Sequence, residues 1–317
     1  MTGYKKTFIG LLLVFGTNWL YAQGCSDAGF CTMGAMKPDQ AYSKKVDFKL
    51  RTFEFNYYRG TSLASPVITV LTADMNIGIT DYFSVQVKAP YQMVSGRLGD
   101  TQGVGDFSIS ASRAFPLKNG ASMGLTLGGK IPTGKSNIES DHEFGTGHLP
   151  MYYQISLGTY DLVFGLSYIN EKWLFATGIQ HPLVHQNEND FRWGKWAAHP
   201  DQEYILDYDL ANNLKRGTDV MLRAERNFRF INFNIGIGGL AIYRIKEDWR
   251  YNFNTDIEEG IDQTLGLAFN MLANVGYQIN VNSGVKVIYG LKFVDREFNP
   301  DGLSRHDVTS LSYVYRF

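Results

Sequence analysis

From about residue 48 onward the chain alternates apolar and polar positions with period two. In Ile231–Tyr243 the odd positions include Ile231, Phe233, Ile235, Ile237, Ala241 and Tyr243, whereas Asn232, Asn234, Gly236 and Gly238 hold even ones. Leu265–Ile279 repeats the pattern, with Asn270, Asn274, Gly276 and Gln278 opposite an apolar row, and Val285–Phe293 sets Lys286, Gly290 and Lys292 opposite another. Successive side chains of a strand point to opposite faces, so this pattern predicts half-buried strands. A soluble sandwich has the same period. Here, however, the apolar face runs almost unbroken over many strands, and the other face is polar or small rather than a second apolar layer.

The spacing predicts about twelve strands, near 48–58, 67–79, 82–91, 104–115, 121–131, 160–169, 173–183, 217–228, 231–244, 265–279, 285–295 and 306–317. Short links (Thr80-Asp81, Pro116–Gly120, Asn170–Lys172, Arg229-Phe230, Asn280–Gly284) alternate strictly with long ones at 59–66, 92–103, 132–159, 184–216, 245–264 and 296–305. Gly, Asn, Asp and Pro fill the short links because tight turns need their backbone freedoms. Short periplasmic turns alternating with long extracellular loops mark a transmembrane antiparallel up-and-down β-barrel. Closure follows from the solvent: backbone groups find no water in lipid, so an open sheet edge would be very costly. Tyr57, Tyr82, Tyr91, Trp173 and Tyr243, near strand ends, are the expected interfacial girdles.

The last strand carries Leu311, Tyr313, Tyr315 and Phe317 on one face and Ser310, Ser312 and Arg316 on the other. A terminal aromatic after alternating aromatics resembles the signal read by the bacterial barrel-assembly machinery, making that machinery an expected partner beside outer-membrane lipid.

The opening residues fit export. Lys5 and Lys6 precede an apolar run, Phe8–Phe15, and Ala22 offers a cleavage point, so residues 1–22 read as a signal peptide. Residues 23–46 form a Cys-containing segment, expected to fold back as a plug or, alternatively, to be a periplasmic extension stapled by its own disulfide, and 47–317 are expected to form the barrel. Cys25 and Cys31 are expected to form a disulfide in an oxidising compartment, with lipidation or a thiolate site as alternatives.

Composition agrees with this picture. Aromatic residues make up 14% of the chain and charged residues only 19%, against about 25% in ordinary globular domains. The formal net charge of −1 argues against a nucleic-acid partner. The expected location is the outer membrane.

Gly124–Gly134 (GLTLGGKIPTG) follows GDFSISASRAF, which begins at Gly105-Asp106, and precedes SLGTYDLVFGLSY with Gly158-Thr159. These segments resemble the outer-membrane channel family named for genes of phenol meta-cleavage pathways. The resemblance covers residues 67–185 and implies passive passage of small, often hydrophobic molecules. A Gly-Thr-Gly usual in that family stands earlier here, at Gly145–Gly147, while Gly158-Thr159-Tyr160 occupies its expected place.

Other constellations are weaker. Gly129–Ser136 matches the phosphate-loop pattern, but a polar stretch follows where that motif requires a helix. His142, His148, His181 and His185 fall at external strand ends and are candidate ligands for zinc or copper. No G-x-S-x-G elbow is present, and no enzymatic role or cofactor is expected. By parity the lumen receives Glu54, Asp74, Lys88, Lys130, Arg223, Glu225, Lys286, Lys292 and Arg316, a mixed wall with a mild cationic excess. The primary expectation is a narrow channel for a small-molecule substrate, hydrophobic or aromatic. The alternatives are a metal-uptake barrel, or a non-transporting surface barrel using Phe191, Trp193, Trp196 and Tyr204 as a contact surface.

Overall fold

The computed structural model describes Met33 and residues 49–62, 66–140 and 143–317. The signal peptide, Cys25, Cys31, His142 and the plug segment other than Met33 lie outside the described residues.

The described residues contain fifteen strands in chain order: Lys49–Ser62 (β1), Val67–Thr80 (β2), Phe83–Gly96 (β3), Gly99–Val104 (β4), Phe107–Pro116 (β5), Ser122–Ile131 (β6), Thr159–Ile169 (β7), Trp173–His185 (β8), Asp219–Arg229 (β9), Phe233–Arg244 (β10), Asp248–Asn252 (β11), Ile257–Ile261 (β12), Gly266–Gln278 (β13), Ser283–Val294 (β14) and Arg305–Arg316 (β15). β4 and β5 pair in turn with the two halves of β3, so they make one wall strand interrupted at Gly105-Asp106. β11 and β12 form a separate hairpin. The remaining pairing is a closed antiparallel barrel of 12 strands, with β1 bonded to both β2 and β15.

The pleat sorts the wall as the alternation requires. Leu162, Phe164 and Leu166 of β7 are exposed on the outer face, while Asp161, Val163 and Ser167 are buried inside. Outward apolar residues recur on every barrel strand, and Tyr57, Tyr82, Tyr91, Trp173 and Tyr243 are all exposed. The short turns use side-chain amides and hydroxyls in place of backbone partners. Asn170 Oδ1 accepts from the N–H groups of Lys172 and Trp173, both at 2.8 Å. Asn280 Oδ1 does the same for Asn282 and Ser283, at 2.9 and 2.8 Å.

Two of the expected open loops are built differently. In the link expected at 92–103, β3 and β4 continue as a hairpin that turns at Arg97-Leu98. The extension is held from above, because Val94 and Leu98 are buried in the apolar core of the neighbouring loops. In the link at 245–264, β11 and β12 pair as a second hairpin, tied to the preceding loop by mutual Lys215–Trp249 backbone bonds of 2.8 Å.

Candidate functional site

The nine charged residues assigned inward by parity are all buried or half-buried on the inner face of the wall. Buried charges need partners, because desolvation otherwise costs more than burial returns. Lys88 Nζ lies 3.4 Å from Asp74 on the next strand. The Gln86 amide donates to both oxygens of Asp74 at 2.8 and 2.9 Å. Arg223 pairs with Glu225 at 2.8 Å, and Asn274 donates to the same carboxylate at 2.8 Å. Lys292 meets Asp295 and donates to Ser304 at 2.6 Å. Arg316 donates to Gln278 at 3.1 Å. Lys88–Asp74 joins neighbouring strands and Arg223–Glu225 lies within one, whereas Asn274–Glu225 and Arg316–Gln278 each reach across an intervening strand and Lys292 is held by the loop after β14.

Sequence reasoning missed four more interior charges: Asp106, Asp161, Asp219 and Arg244. All are buried. Parity could have found three of them, since Tyr160 and Leu162 face out around Asp161, Val220 and Leu222 follow Asp219, and Tyr243 precedes Arg244. Lys130 bridges Asp106 and Asp161, each at 3.2 Å. Asp106 lies at the break between β4 and β5 and accepts from Gly134 N–H at 3.3 Å, and Thr133 Oγ1 donates to Gly105 O at 2.6 Å. The Gly-Asp and Pro-Thr-Gly segments thus close one local break in the ladder, where strand partners are missing.

Above this band an ionic cluster joins four segments. Asp301, in the last external loop, faces Arg244 at 3.1 Å, Arg216 at 3.4 Å and Arg296 at 3.6 Å. Arg244 also pairs with Asp219 at 2.8 Å and with Asp248 at the start of β11. Arg216 pairs with Asp219 at 2.8 Å and approaches Asp161 at 3.9 Å. Burial alone would raise the Asp301 carboxyl; Arg244, Arg296 and Arg216 outweigh it and hold the group well below the usual carboxylate range.

The external loops fold into a cap with its own core. Leu149, Tyr152, Tyr153, Ile155, Phe191, Trp196, Tyr204, Ile205 and Tyr208 pack together and continue onto Tyr58, Ile68, Val70 and Val308 of the wall. A short helix, Gln202–Leu206 (α1), contributes two of them, and Asp201 caps it by accepting from Tyr204 N–H at 3.1 Å. The hydroxyl of Tyr153 lies 3.1 Å from that of Tyr204 and accepts from that of Tyr208 at 3.2 Å. Buried loop backbone also needs partners, and side-chain amides provide them. Gln154 donates to Leu149 O at 2.8 Å, Asn189 to the same oxygen at 2.9 Å, and Asn212 to Phe191 O at 2.9 Å. The aromatics expected to form an external contact surface serve differently: Phe191, Trp196 and Tyr204 are buried in this core, and only Trp193 is exposed.

One feature of the lumen is apolar. Val163, Leu174, Ala176, Met221 and Leu240 form a buried inner patch, with Ile242 and Leu272 beside it. Met33, which precedes the first strand, is packed into this patch and is 1% exposed.

The described histidines do not converge. His148 Nδ1 lies 2.8 Å from Asp190. His181 Nδ1 and Thr218 Oγ1 are hydrogen-bonded at 2.8 Å, and His185 Nε2 donates to Arg216 O at 3.1 Å. Among the described residues no three metal-ligating side chains come together. The phosphate-loop pattern runs off β6 into irregular chain without a helix, and Lys135 O accepts from Ile155 and Ser156 N–H at 3.1 and 3.0 Å.

Asp209 is expected to make the cap pH-sensitive. Its carboxylate accepts from Asn299 N–H at 3.0 Å. Burial, with the charges of Asp301 and Asp295, outweighs that bond and nearby Arg250 and pushes the group up to about 6. The capped state therefore binds this proton more tightly than an open loop, whose carboxyl titrates near 4. The stabilisation is full below about pH 4 and is lost as pH rises through 6. Protease cleavage of the external loops is expected to be faster at pH 8 than at pH 5, and Asp209→Asn is expected to shrink that difference. Equal cleavage rates at both pH values would contradict it.

No protein-family model and no curated protein matches the chain. Among solved structures it is similar to an outer membrane channel from Pseudomonas putida F1, at 14% identity and a TM-score of 0.60, covering 88% of this chain and all (100%) of that one. Weaker likenesses include the KdgM porin in complex with disordered oligogalacturonate (8% identity, TM-score 0.41, 84% of this chain and 99% of that one). The NanC porin is similar at 11% identity and a TM-score of 0.41, covering 84% of this chain and 98% of that one. What the chain shares with the channel from Pseudomonas putida F1 is the fold: it is a closed antiparallel β-barrel of the outer-membrane type.

Proposed function

We propose that the barrel is a narrow, capped channel for passive passage of small hydrophobic or aromatic molecules, and that its resemblance to the family named for phenol meta-cleavage pathways reflects that use. The carrying observation is the lumen wall, which combines a band of paired charges with an apolar patch inside a closed barrel. A twelve-stranded barrel sits between the side-chain-filled eight-stranded type and the open porins. Glu54, Asp74, Lys88, Lys130, Arg223, Glu225, Lys286, Lys292 and Arg316 are the proposed lining. Asp106, Asp161 and Asp219 add carboxylates against one further cation, Arg244, and so reduce the cationic excess of that set; the channel is expected to discriminate weakly between anions and cations. The strand ending at Phe317 is the proposed contact for the assembly machinery, with Leu311, Tyr313 and Tyr315 exposed on its outer face.

The test is a planar-bilayer recording from the purified full-length chain. Small discrete conductance steps are expected, with little ion selectivity. Silence from protein shown to be folded, in the wild type and in a variant with a loosened cap, would remove the channel reading.

A further inference from the structure

We propose that the patch formed by Val163, Leu174, Ala176, Met221 and Leu240 is a binding site for one small apolar molecule, and that Met33 occupies it in the resting chain. The proposal rests on the channel reading and adds the position and resting state of its binding site.

Four observations carry it. The patch lies inside a wall otherwise lined by charge pairs, with Arg223 and Glu225 on the same strand as Met221. Its apolar area is not needed to cover a core of the wall itself, since the barrel's large apolar surface faces lipid. Met33 is far from every patch residue in sequence and is nonetheless packed against them, 1% exposed. And methionine suits a replaceable occupant: it is unbranched and polarisable, and it fills irregular gaps without a fixed shape.

The energetics permit exchange. Burying a methionine side chain is favourable through the apolar area it removes from water. A ligand of similar apolar area recovers the same contacts, so displacement costs little beyond the freedom each partner loses. The self-occupied site weakens apparent affinity by the fraction of time Met33 is absent. Removing the methionine side chain therefore strengthens ligand binding, the reverse of what deleting a contact residue does.

The experiment uses the full-length chain in lipid nanodiscs, labelled with methyl-¹³C methionine and titrated with toluene. Met123 and Met271 face lipid and report partitioning of toluene into the bilayer. Toluene is expected to shift the Met33 and Met221 methyl signals together, in a saturable manner, while Met123 and Met271 change linearly. In Met33→Ala the Met221 signal is expected to saturate at about tenfold lower toluene, a change equivalent to about 1.4 kcal/mol. Leu240→Asn is expected to raise the midpoint about tenfold; its folded state is verified by unchanged Met123 and Met271 signals. Unmoved Met33 and Met221 signals, or equal midpoints in Met33→Ala and wild type, would overturn the proposal. Conductance is recorded on the same preparation: steps without toluene binding would leave the channel reading standing and remove this site, whereas saturable binding without steps would do the opposite.

Discussion

Asp301→Ala is expected to release the cap from the barrel. Asp301 is buried and faces three arginines: Arg216 just before β9, Arg244 at the end of β10 and Arg296 in its own loop. Asp219 and Asp248 balance part of that charge, but among the cluster's described carboxylates it is Asp301 that forms the ion pair with Arg296. Removing one member of a buried ionic cluster leaves the rest uncompensated and typically costs about 3–5 kcal/mol. That cost falls on the closed arrangement, because arginines released into water regain solvation. The barrel is expected to survive, since its ladder of backbone bonds does not pass through Asp301. Trypsin is expected to cut the loops at 186–218 and 295–304 faster, and bilayer recordings are expected to show larger steps. Asp301→Asn keeps the shape but not the charge and is expected to fall between. Unchanged trypsin sensitivity in Asp301→Ala would show that the cluster does not hold the cap.

Trp196→Ala tests the same closure through packing. Trp196 is 0% exposed, the largest fully buried side chain of the cap. It lies against Gly145, where an added Cβ would come within 2.3 Å of the indole. His199 meets it edge-on, and Phe191, Tyr204 and Tyr208 belong to the same buried core. Truncating a buried tryptophan typically costs about 3–5 kcal/mol, from lost transfer energy and the cavity left behind. Amide exchange is expected to speed up across 186–212 and in the Arg97-Leu98 hairpin, and to stay unchanged in β13 and β14. Gly145→Ala attacks the contact from the other side and is expected to act in the same direction. If exchange in Trp196→Ala rises equally in the wall strands, the cap is not a separate cooperative unit.

The wall was legible in the sequence because its constraint is local and periodic. A residue such as Ile235 faces lipid because Gly236 and Asn234 do not, and that information lies within three positions. The turns were legible for a similar reason, since Asn170 and Asn280 bond their own near neighbours. The cap was not. Trp196, Tyr204 and Phe191 are aromatic residues in a long loop, and burial in a core and display on a surface ask for the same composition. Their partners, Tyr153, Leu98 and Val308, come from other loops and strands, so no window of sequence contains the contact. The ionic cluster was half legible. Parity gives Asp219 and Arg244 their face, but their bond to Asp301 depends on how the last loop lies. Met33 shows the same limit, because its neighbours begin at residue 163.

The seam between β1 and β15 sets a timetable for biogenesis. Its register joins Thr52 to Arg316 and Ser62 to Arg305, the most distant partners along the chain. Until β15 arrives, β1 and whichever strand was made last both present unpaired backbone groups, which lipid cannot solvate. A growing chain therefore gains nothing by entering the bilayer early, and partial sheets carry adhesive edges. Pairs of such high sequence separation also form slowly, because the loop-closure entropy must be lost before any bond is made. The closing seam makes the span from β1 to β15 the smallest unit that can be stably inserted, and gives any chaperone that escorts it two edges to shield.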